Sequence, residues 1–264
     1  MASRVQVLVA AMDEGGTALA ERLGINTDAL IGCQCDTDRV EHSSYNGSEI
    51  VTYYFAERGV GLNRNNTLMR ATAEFCLIAD DDMRYRDNYA ETVEKAFDSH
   101  PEADVIIFNV DEPKRKNAYV IKKQYRVGWR NFMRFATFRF AFRTESIRRR
   151  GISFNLSFGG GTSYAHGEDS LFLSDCLKKG LRIVAIPITV AELTYTREST
   201  WFKGFNDGYF SDQGALYAAM SRRYYRFLCL QDAVRHRKKY SAHGGAFKNY
   251  RAMVNGAKKF LKGK

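Results

Sequence analysis

Three consecutive aspartates, Asp80, Asp81 and Asp82, directly follow an apolar run at residues 75–79. Five apolar residues bounded by polar ones predict a buried strand. Because side chains alternate along a strand, Asp80 and Asp82 are expected on one side, roughly 7 Å apart, with Asp81 on the other. Carboxylate oxygens suit Mg²⁺ or Mn²⁺ that carries a substrate's phosphates. We therefore interpret these residues as a metal-phosphate site, with a solvated acidic loop as the alternative.

A second pair of adjacent acids, Glu168 and Asp169, follows Gly167 at the predicted start of a helix. A positioned carboxylate can act as a general base, which contributes typically about 10²–10⁴-fold to a rate. Acids in the first turn of a helix also simply complement its dipole, which would lower their pKa. From these residues alone, both interpretations stay open. The glycines at 159–161 either allow close approach of a ligand to the backbone or form a flexible linker.

Short apolar runs alternate with helical patterns over most of the chain. The predicted strands cover residues 5–10, 29–33, 50–55, 75–79, 104–110 and 182–188. The predicted helices cover residues 17–23, 65–73, 87–99 and 168–179. This alternation is typical of an α/β fold with a parallel, layered sheet. Ligands of such sheets bind outside the carboxyl ends of the strands, and Asp13, Asp36 and the three aspartates all follow strand ends.

The composition indicates a globular protein. The chain has 264 residues, 45% of them hydrophobic, enough for one large α/β domain with a small appendage. No apolar segment approaches the ~20 residues that span a bilayer, and no signal peptide precedes the first strand, so we expect a cytoplasmic location. The five cysteines are an odd number, several in apolar surroundings, which favours reduced thiols. Cys33 and Cys35 lack a second ligand pair at zinc-binding spacing.

The net charge of +10 is concentrated at the C-terminus. Residues 221–264 contain thirteen basic residues against one aspartate, a net +12, which leaves −2 for residues 1–220. An apolar pattern at helical spacing runs through this tail at Phe247, Tyr250, Val254, Ala257 and Leu261. A basic amphipathic helix of this kind could lie on an anionic membrane surface. The alternative is a helix that packs on the protein body.

The middle of the chain, residues 111–151, is both basic and aromatic. Interleaved basic and aromatic residues can stack on bases or sugar rings. The alternative, which the pattern favours, is core-facing strands with exposed arginines. It fits best where Arg139 and Arg143 alternate with aromatic residues at 138, 140 and 142.

Three segments in order resemble one known family. They are residues 57–68, which contain the pair Arg64-Asn65; residues 76–82, a strand followed by the aspartates; and residues 167–172, which begin Gly-Glu-Asp. Together they are similar to family 2 glycosyltransferases of the GT-A fold, especially small bacterial enzymes of surface-polysaccharide assembly. The match departs after the first strand, at residues 10–13, and after the second, at residues 33–36, where the family's usual residues are absent.

This resemblance implies a Rossmann-like, mixed but mostly parallel sheet flanked by helices, with a C-terminal helical extension. It also implies inverting transfer of a sugar from a nucleotide-diphosphate sugar, UDP by family habit, with Mn²⁺ or Mg²⁺ as cofactor. Asp82 is expected to contact the metal directly, and Asp80 to bind the ribose, or the metal through water. The donor nucleotide is expected to contact Asp13, Asp36, Arg64, Asn65, Asp80 and Asp81.

For the acceptor, the resemblance implies a glycan or a lipid-linked hydroxyl at the cytoplasmic face of the membrane. Asp169 is the expected base and Glu168 the alternate. Gly160, Gly161 and Trp201 are expected to contact the acceptor. The expected division is a catalytic domain over residues 1–200, split into a nucleotide half (1–110) and an acceptor half (111–200), followed by a basic helical extension over residues 201–264.

Two other functions are weighed against this one. A nucleotidyltransferase of related fold would need a basic, glycine-rich phosphate loop after the first strand, but residues 11–16 contain acids and no Arg or Lys. A non-catalytic nucleic-acid-binding protein could use the basic tail. That hypothesis leaves the three aspartates unexplained, because they would repel a phosphate backbone, so nucleic acid is not the expected partner.

Overall fold

Ten strands and eight α-helices form in the residues that this computed structural model describes, 3–194 and 204–263. The strands are β1 (Val5–Met12), β2 (Ala29–Gln34), β3 (Arg39–Tyr45), β4 (Ser48–Phe55), β5 (Phe75–Asp80), β6 (Met83–Tyr85), β7 (Val105–Asp111), β8 (Tyr125–Val127), β9 (Phe140–Arg143) and β10 (Ile183–Leu193). The helices are α1 (Gly16–Arg22), α2 (Val60–Arg70), α3 (Tyr89–Ser99), α4 (Thr144–Arg149), α5 (Glu168–Lys178), α6 (Asp207–Met220), α7 (Tyr225–Arg235) and α8 (Gly245–Lys262).

All ten strands belong to one mixed sheet in the order β3-β4-β2-β1-β5-β9-β7-β10-β6, with β8 paired to β10. Strands β4, β2, β1 and β5 are parallel to one another, as are β7 and β10. Strand β9 is antiparallel to both β5 and β7, so these two point the same way. The prediction of a mostly parallel α/β sheet is confirmed. The carboxyl ends of β1, β2, β5 and β7 therefore meet at one edge.

Strand β5 is covered on both faces, which explains its unbroken apolar sequence. Phe75, Leu77 and Ala79 pack in one hydrophobic cluster, and Cys76 and Ile78 pack in the other. The strand thus has no solvent-facing position before its last residue. The first aspartate marks the point at which the chain leaves the core.

Two elements near the N-terminus differ from the sequence prediction. Strand β3 was not predicted, although the dipeptide Asn46-Gly47 is a common hairpin signal. Both residues have positive φ, 50° and 81°, and β3 pairs with β4 in an antiparallel hairpin. Helix α2 begins at Val60 rather than at residue 65. Gly59, with φ 129°, takes the backbone from the preceding loop into the helix.

The prediction that Arg139 is exposed is wrong. Arg139 lies in a short 3₁₀ turn before β9 and is buried. Its Nη2 donates to Glu112 Oε1 at 2.6 Å, which provides the counter-charge that a buried guanidinium requires. Phe140 and Phe142 are buried, as the alternation predicts.

Helix α8 packs against α6 in the structure. The two backbones approach so closely that a Cβ on Gly214 of α6 would lie 1.8 Å from the Met253 carbonyl of α8. The residues of α8 that are buried are Asn249, Met253, Gly256, Ala257 and Phe260. Of the predicted apolar face, Ala257 is buried and Phe247 is exposed, and the other three members are partly buried against the core. The apolar side of this helix therefore faces the protein body. Among the described residues, no helix has the length and hydrophobicity to cross a bilayer.

Candidate active site at the carboxyl edge of the sheet

The ends of β1, β2 and β5 bring three polar segments together. Ala10 is in register with Asp80, and Met12 with Gln34. The Met12 backbone N–H donates to Asp81 Oδ2 at 3.2 Å, and the Asp13 N–H donates to the Gln34 carbonyl at 3.0 Å. The predicted convergence of these segments is present. It follows from parallel pairing, which aligns the carboxyl ends of neighbouring strands.

The expected alternation of the three aspartates stops after the first. Strand β5 ends at Asp80, and Asp81 and Asp82 form the turn into β6. In this turn the Asp82 carbonyl accepts the Thr194 N–H at 2.7 Å. The carboxylates of Asp80 and Asp82 are therefore presented by a strand end and a turn rather than by one extended strand.

Arg64 joins two of the three motifs found in the sequence. Its side chain is only 5% exposed. Nη2 donates to Asp80 Oδ1 at 2.7 Å, and Nη1 donates to Glu168 Oε1 at 3.1 Å. Burial opposes the charge of Arg64, but the two carboxylates outweigh it and raise its pKa. The guanidinium thus holds Asp80, the first of the three aspartates, against the start of α5, and its expected contact with the donor nucleotide stays a prediction.

Asp169 has the properties of a base near neutral pH. Burial, together with repulsion from the adjacent Glu168, raises its pKa from 3.8 to about 7. The Ser170 N–H, 2.6 Å from Asp169 Oδ1, and the charge of Arg64 act in the opposite direction and are outweighed. The dipole of α5 favours a lower pKa for an acid in its first turn, but burial is the larger effect.

The glycine-rich loop packs between α2 and α5. The Gly160 carbonyl accepts the Val60 N–H at 3.0 Å, so the loop binds the first turn of α2. A Cβ on Gly159 would lie 2.8 Å from the Glu168 carboxyl carbon, and Gly159 has φ 100°, which only glycine adopts readily. Gly160 and Gly161 are exposed. The loop is therefore fixed by its contacts, and it leaves two glycines open to a ligand.

Two residues expected at the nucleotide have other contacts. Asn65 donates from Nδ2 to the Phe154 carbonyl at 2.9 Å and accepts the Phe154 N–H on Oδ1 at 2.7 Å. Its amide therefore holds the chain that leads into the glycine loop. Asp36 is almost fully exposed and pairs with Arg58 at 2.8 Å. Trp201 lies outside the described residues.

Sequence reasoning missed the buried pair of Glu112 and Arg139, because the arginine pattern resembled that of a surface strand. The pair lies at the end of β7, on the same edge as the aspartates. Next to it is a cleft of about 280 Å³, whose lining includes Asp111, Arg115 and Lys116. The observable signal was a charged segment directly after an apolar strand, the same signal that identified the aspartates.

The chemistry of the aspartates suits a divalent cation shared with a substrate. Their donor atoms are hard carboxylate oxygens. In the part of the chain that the structure describes, no three acidic, histidine or cysteine side chains are grouped tightly enough to hold an ion by themselves. Mg²⁺ and Mn²⁺ are commonly held by one or two carboxylates with substrate phosphates and water completing the shell. These residues therefore fit an ion that binds together with a diphosphate.

A sheet of this order, with acids following β5 and a second acid pair opening α5, is the GT-A glycosyltransferase fold. The resemblance seen in three short motifs is thus confirmed at the level of the fold. No protein-family model matches the chain, and no curated protein sequence is significantly similar to it.

Two solved structures show the likeness. One is TarS of S. aureus in complex with UDP-GlcNAc, with a TM-score of 0.68 and 14% identity, covering 99% of this chain and 81% of the TarS chain. The other is the mannosyltransferase PcManGT from Pyrobaculum calidifontis in complex with GDP-Man and Mn²⁺. It has a TM-score of 0.52 and 14% identity, and the match covers 97% of this chain and 74% of that one. At these identities the likeness establishes the fold.

Proposed function

We propose that the protein is an inverting glycosyltransferase that moves a sugar from a nucleotide-diphosphate donor to a hydroxyl group. The observation that carries the proposal is Asp169, an acid with a pKa of about 7 at the start of α5. It is joined through Glu168 and Arg64 to the aspartate that ends β5. The fold shared with TarS and PcManGT, whose structures contain UDP-GlcNAc and GDP-Man, supports the same reaction.

Asp169 accepts the proton of the acceptor hydroxyl. The oxygen then attacks the anomeric carbon as the bond from that carbon to the phosphate oxygen breaks, and the electron pair of that bond leaves on the diphosphate. One in-line displacement inverts the anomeric configuration. A carboxylate with a pKa near the working pH is half deprotonated and still basic enough to remove the proton, which is the optimum for this step.

Asp80 and Asp82 are the residues proposed to hold a divalent cation with the donor's diphosphate. When bound, Mn²⁺ or Mg²⁺ would offset the charge of the leaving group. Asp13 and Asp36 are proposed near the base or ribose, because both lie at strand ends on the same edge. Arg64 is proposed as a positioning residue, since its guanidinium is buried against two carboxylates.

Several finer points stay predictions. They are the UDP base, the bacterial surface-polysaccharide pathway, the glycan or lipid-linked acceptor, contacts of the acceptor with Gly160, Gly161 and Trp201, the cytoplasmic location, and the division at residue 200. Gly160 and Gly161 are the best supported of the acceptor residues, because both are exposed and directly follow Gly159, whose Cβ position lies against Glu168.

Calorimetry tests the donor side of the proposal. We expect one class among UDP, GDP, CDP and their sugars to bind, and only with Mn²⁺ or Mg²⁺ present. Asp82→Ala should abolish this binding. Asp87→Ala is the matched control, because Asp87 is an exposed acid just beyond β6. Metal-independent binding, or wild-type affinity in Asp82→Ala, would contradict the proposed site.

A further inference from the structure

Helix α7 has an apolar stripe on its outer side. Phe227 is 63% exposed, Leu230 49% and Val234 47%, and Tyr224 just before the helix is 55% exposed. Their spacing of three and four residues places them on one helical face. Large apolar side chains are usually exposed singly, so four in a row on one face indicate a contact surface.

The stripe lies opposite the face that anchors the helix. Successive residues are rotated by about 100° around an α-helix. On this wheel the buried residues Cys229, Asp232 and Ala233 lie on one side, and the centre of the set Phe227, Leu230 and Val234 lies about 140° away. The outer residues are therefore exposed and do not belong to the hydrophobic core that anchors α7.

Arginines border the stripe on both sides. Arg226 and Arg235 are each about 80–100° from the centre of the stripe, on opposite flanks, and both are exposed. Further exposed basic residues stand at each end of the helix: Arg222, Arg223, Arg237, Lys238 and Lys239. The only acid in residues 221–240 is Asp232, which is buried and hydrogen-bonded to His236 and Tyr240.

We infer that this face of α7, Tyr224, Phe227, Leu230 and Val234 with its flanking arginines, binds the surface of an anionic lipid bilayer. Apolar side chains enter the boundary between headgroups and acyl chains, and arginines at the flanks reach the lipid phosphates. The charge favours an anionic surface, because seven exposed cations surround the stripe with no exposed acid in the same segment.

The inferred membrane contact lies on α7 and not on α8, the helix that the sequence pattern indicated. The apolar side of α8 packs against α6. The inference does not rest on the proposed glycosyl transfer, because vesicle binding requires neither donor nor acceptor. A failure of one proposal therefore leaves the other standing.

Flotation of the full chain with lipid vesicles tests the inference. Vesicles of phosphatidylcholine with phosphatidylglycerol should bind the protein, and vesicles of phosphatidylcholine alone should bind it far less. Phe227→Ser combined with Leu230→Ser should lower partitioning about tenfold or more, since two apolar contacts are lost. The melting temperature should change little, because both side chains are exposed and neither belongs to the buried core. Val40→Ser, which removes an equally exposed apolar side chain from β3, should bind as the wild type does.

Three outcomes would overturn the inference. The first is absence of binding to the anionic vesicles, or equal binding by the double serine variant. The second is a dimer of the wild-type chain, seen by light scattering, that the serine variant converts to a monomer without any vesicle binding. The third is binding to duplex DNA, in place of vesicles, that is lost in Arg226→Gln combined with Arg235→Gln and retained in the serine variant.

Discussion

Replacing Asp169 by asparagine tests whether this residue is the catalytic base. If it is, the variant should lose activity, and it should gain stability at high pH because it no longer carries a buried charge. The pKa of Asp169 rises from 3.8 to about 7 on folding. A rise of about three units at 1.36 kcal/mol each gives an upper limit of about 4 kcal/mol against the folded state at high pH. Partial exposure screens this charge, so we expect about 2 kcal/mol.

The sign follows from proton binding. Below about pH 3 the carboxyl is protonated in both states, so it imposes no penalty on folding. As the pH rises towards 7 the unfolded chain loses this proton and the folded chain keeps it, so the folded state becomes relatively less stable. Asparagine cannot ionise, and its Oδ1 can still accept the Ser170 N–H. Asp169→Asn should therefore melt about 4–8 °C above the wild type at pH 8. The difference should shrink as the pH falls and vanish below about pH 3.

Activity should change in the other direction. Turnover of Asp169→Asn should fall about 10²–10⁴-fold, because no group remains to accept the proton. Donor affinity in calorimetry should be retained. In the wild type, kcat/KM should fall about tenfold per pH unit below pH 7 as the carboxyl becomes protonated.

Asp175→Asn is the matched control for these measurements. Asp175 lies on the same helix, its side chain is 42% exposed, and its carboxylate pairs with Lys178 at 2.9 Å. Its variant should show wild-type turnover and no pH-dependent change in melting temperature. Retained turnover in Asp169→Asn would refute the assignment of the base and point to Glu168. Lost turnover without the gain in stability at pH 8 would refute the raised pKa.

The remaining predictions concern the buried contacts. Arg64→Met should lower the free energy of unfolding by on the order of 3–5 kcal/mol in urea titrations, because Asp80 and Glu168 lose their buried counter-charge. A change within experimental error would show that the two ion pairs of Arg64 do not stabilise the fold. Gly214→Ala should destabilise the protein by about 1–3 kcal/mol or more, since the new methyl group collides with the α8 backbone. Gly128→Ala, where a Cβ meets no atom within 4 Å, is its control and should be neutral in the same thermal melts.

The sequence alone identified the parallel strands β1, β2, β4, β5, β7 and β10 and the edge where they end. An apolar run such as residues 75–79 has one stable placement, in the interior of a sheet, and the charges after it must then leave the core. Parallel pairing collects those charges at one edge without any information about side-chain contacts. The aspartates and Asp13 could therefore be placed at one edge from residue types and order, whereas the acid pair at 168–169 was assigned to the site through the resemblance to family 2 glycosyltransferases.

Only the tertiary structure decided which groups neutralise one another. Arg64 meets Asp80 and Glu168 across 16 and 104 residues, a pairing that no local pattern encodes. The sequence left the role of Asp169 open between a base and an acid that complements the helix dipole, because a dipole is local, whereas burial, which raises the pKa of Asp169, depends on every element packed around the site. The same reason applies to the C-terminal helices. Their sequences show amphipathic faces, but whether a face meets the protein body or the solvent depends on how the helices pack.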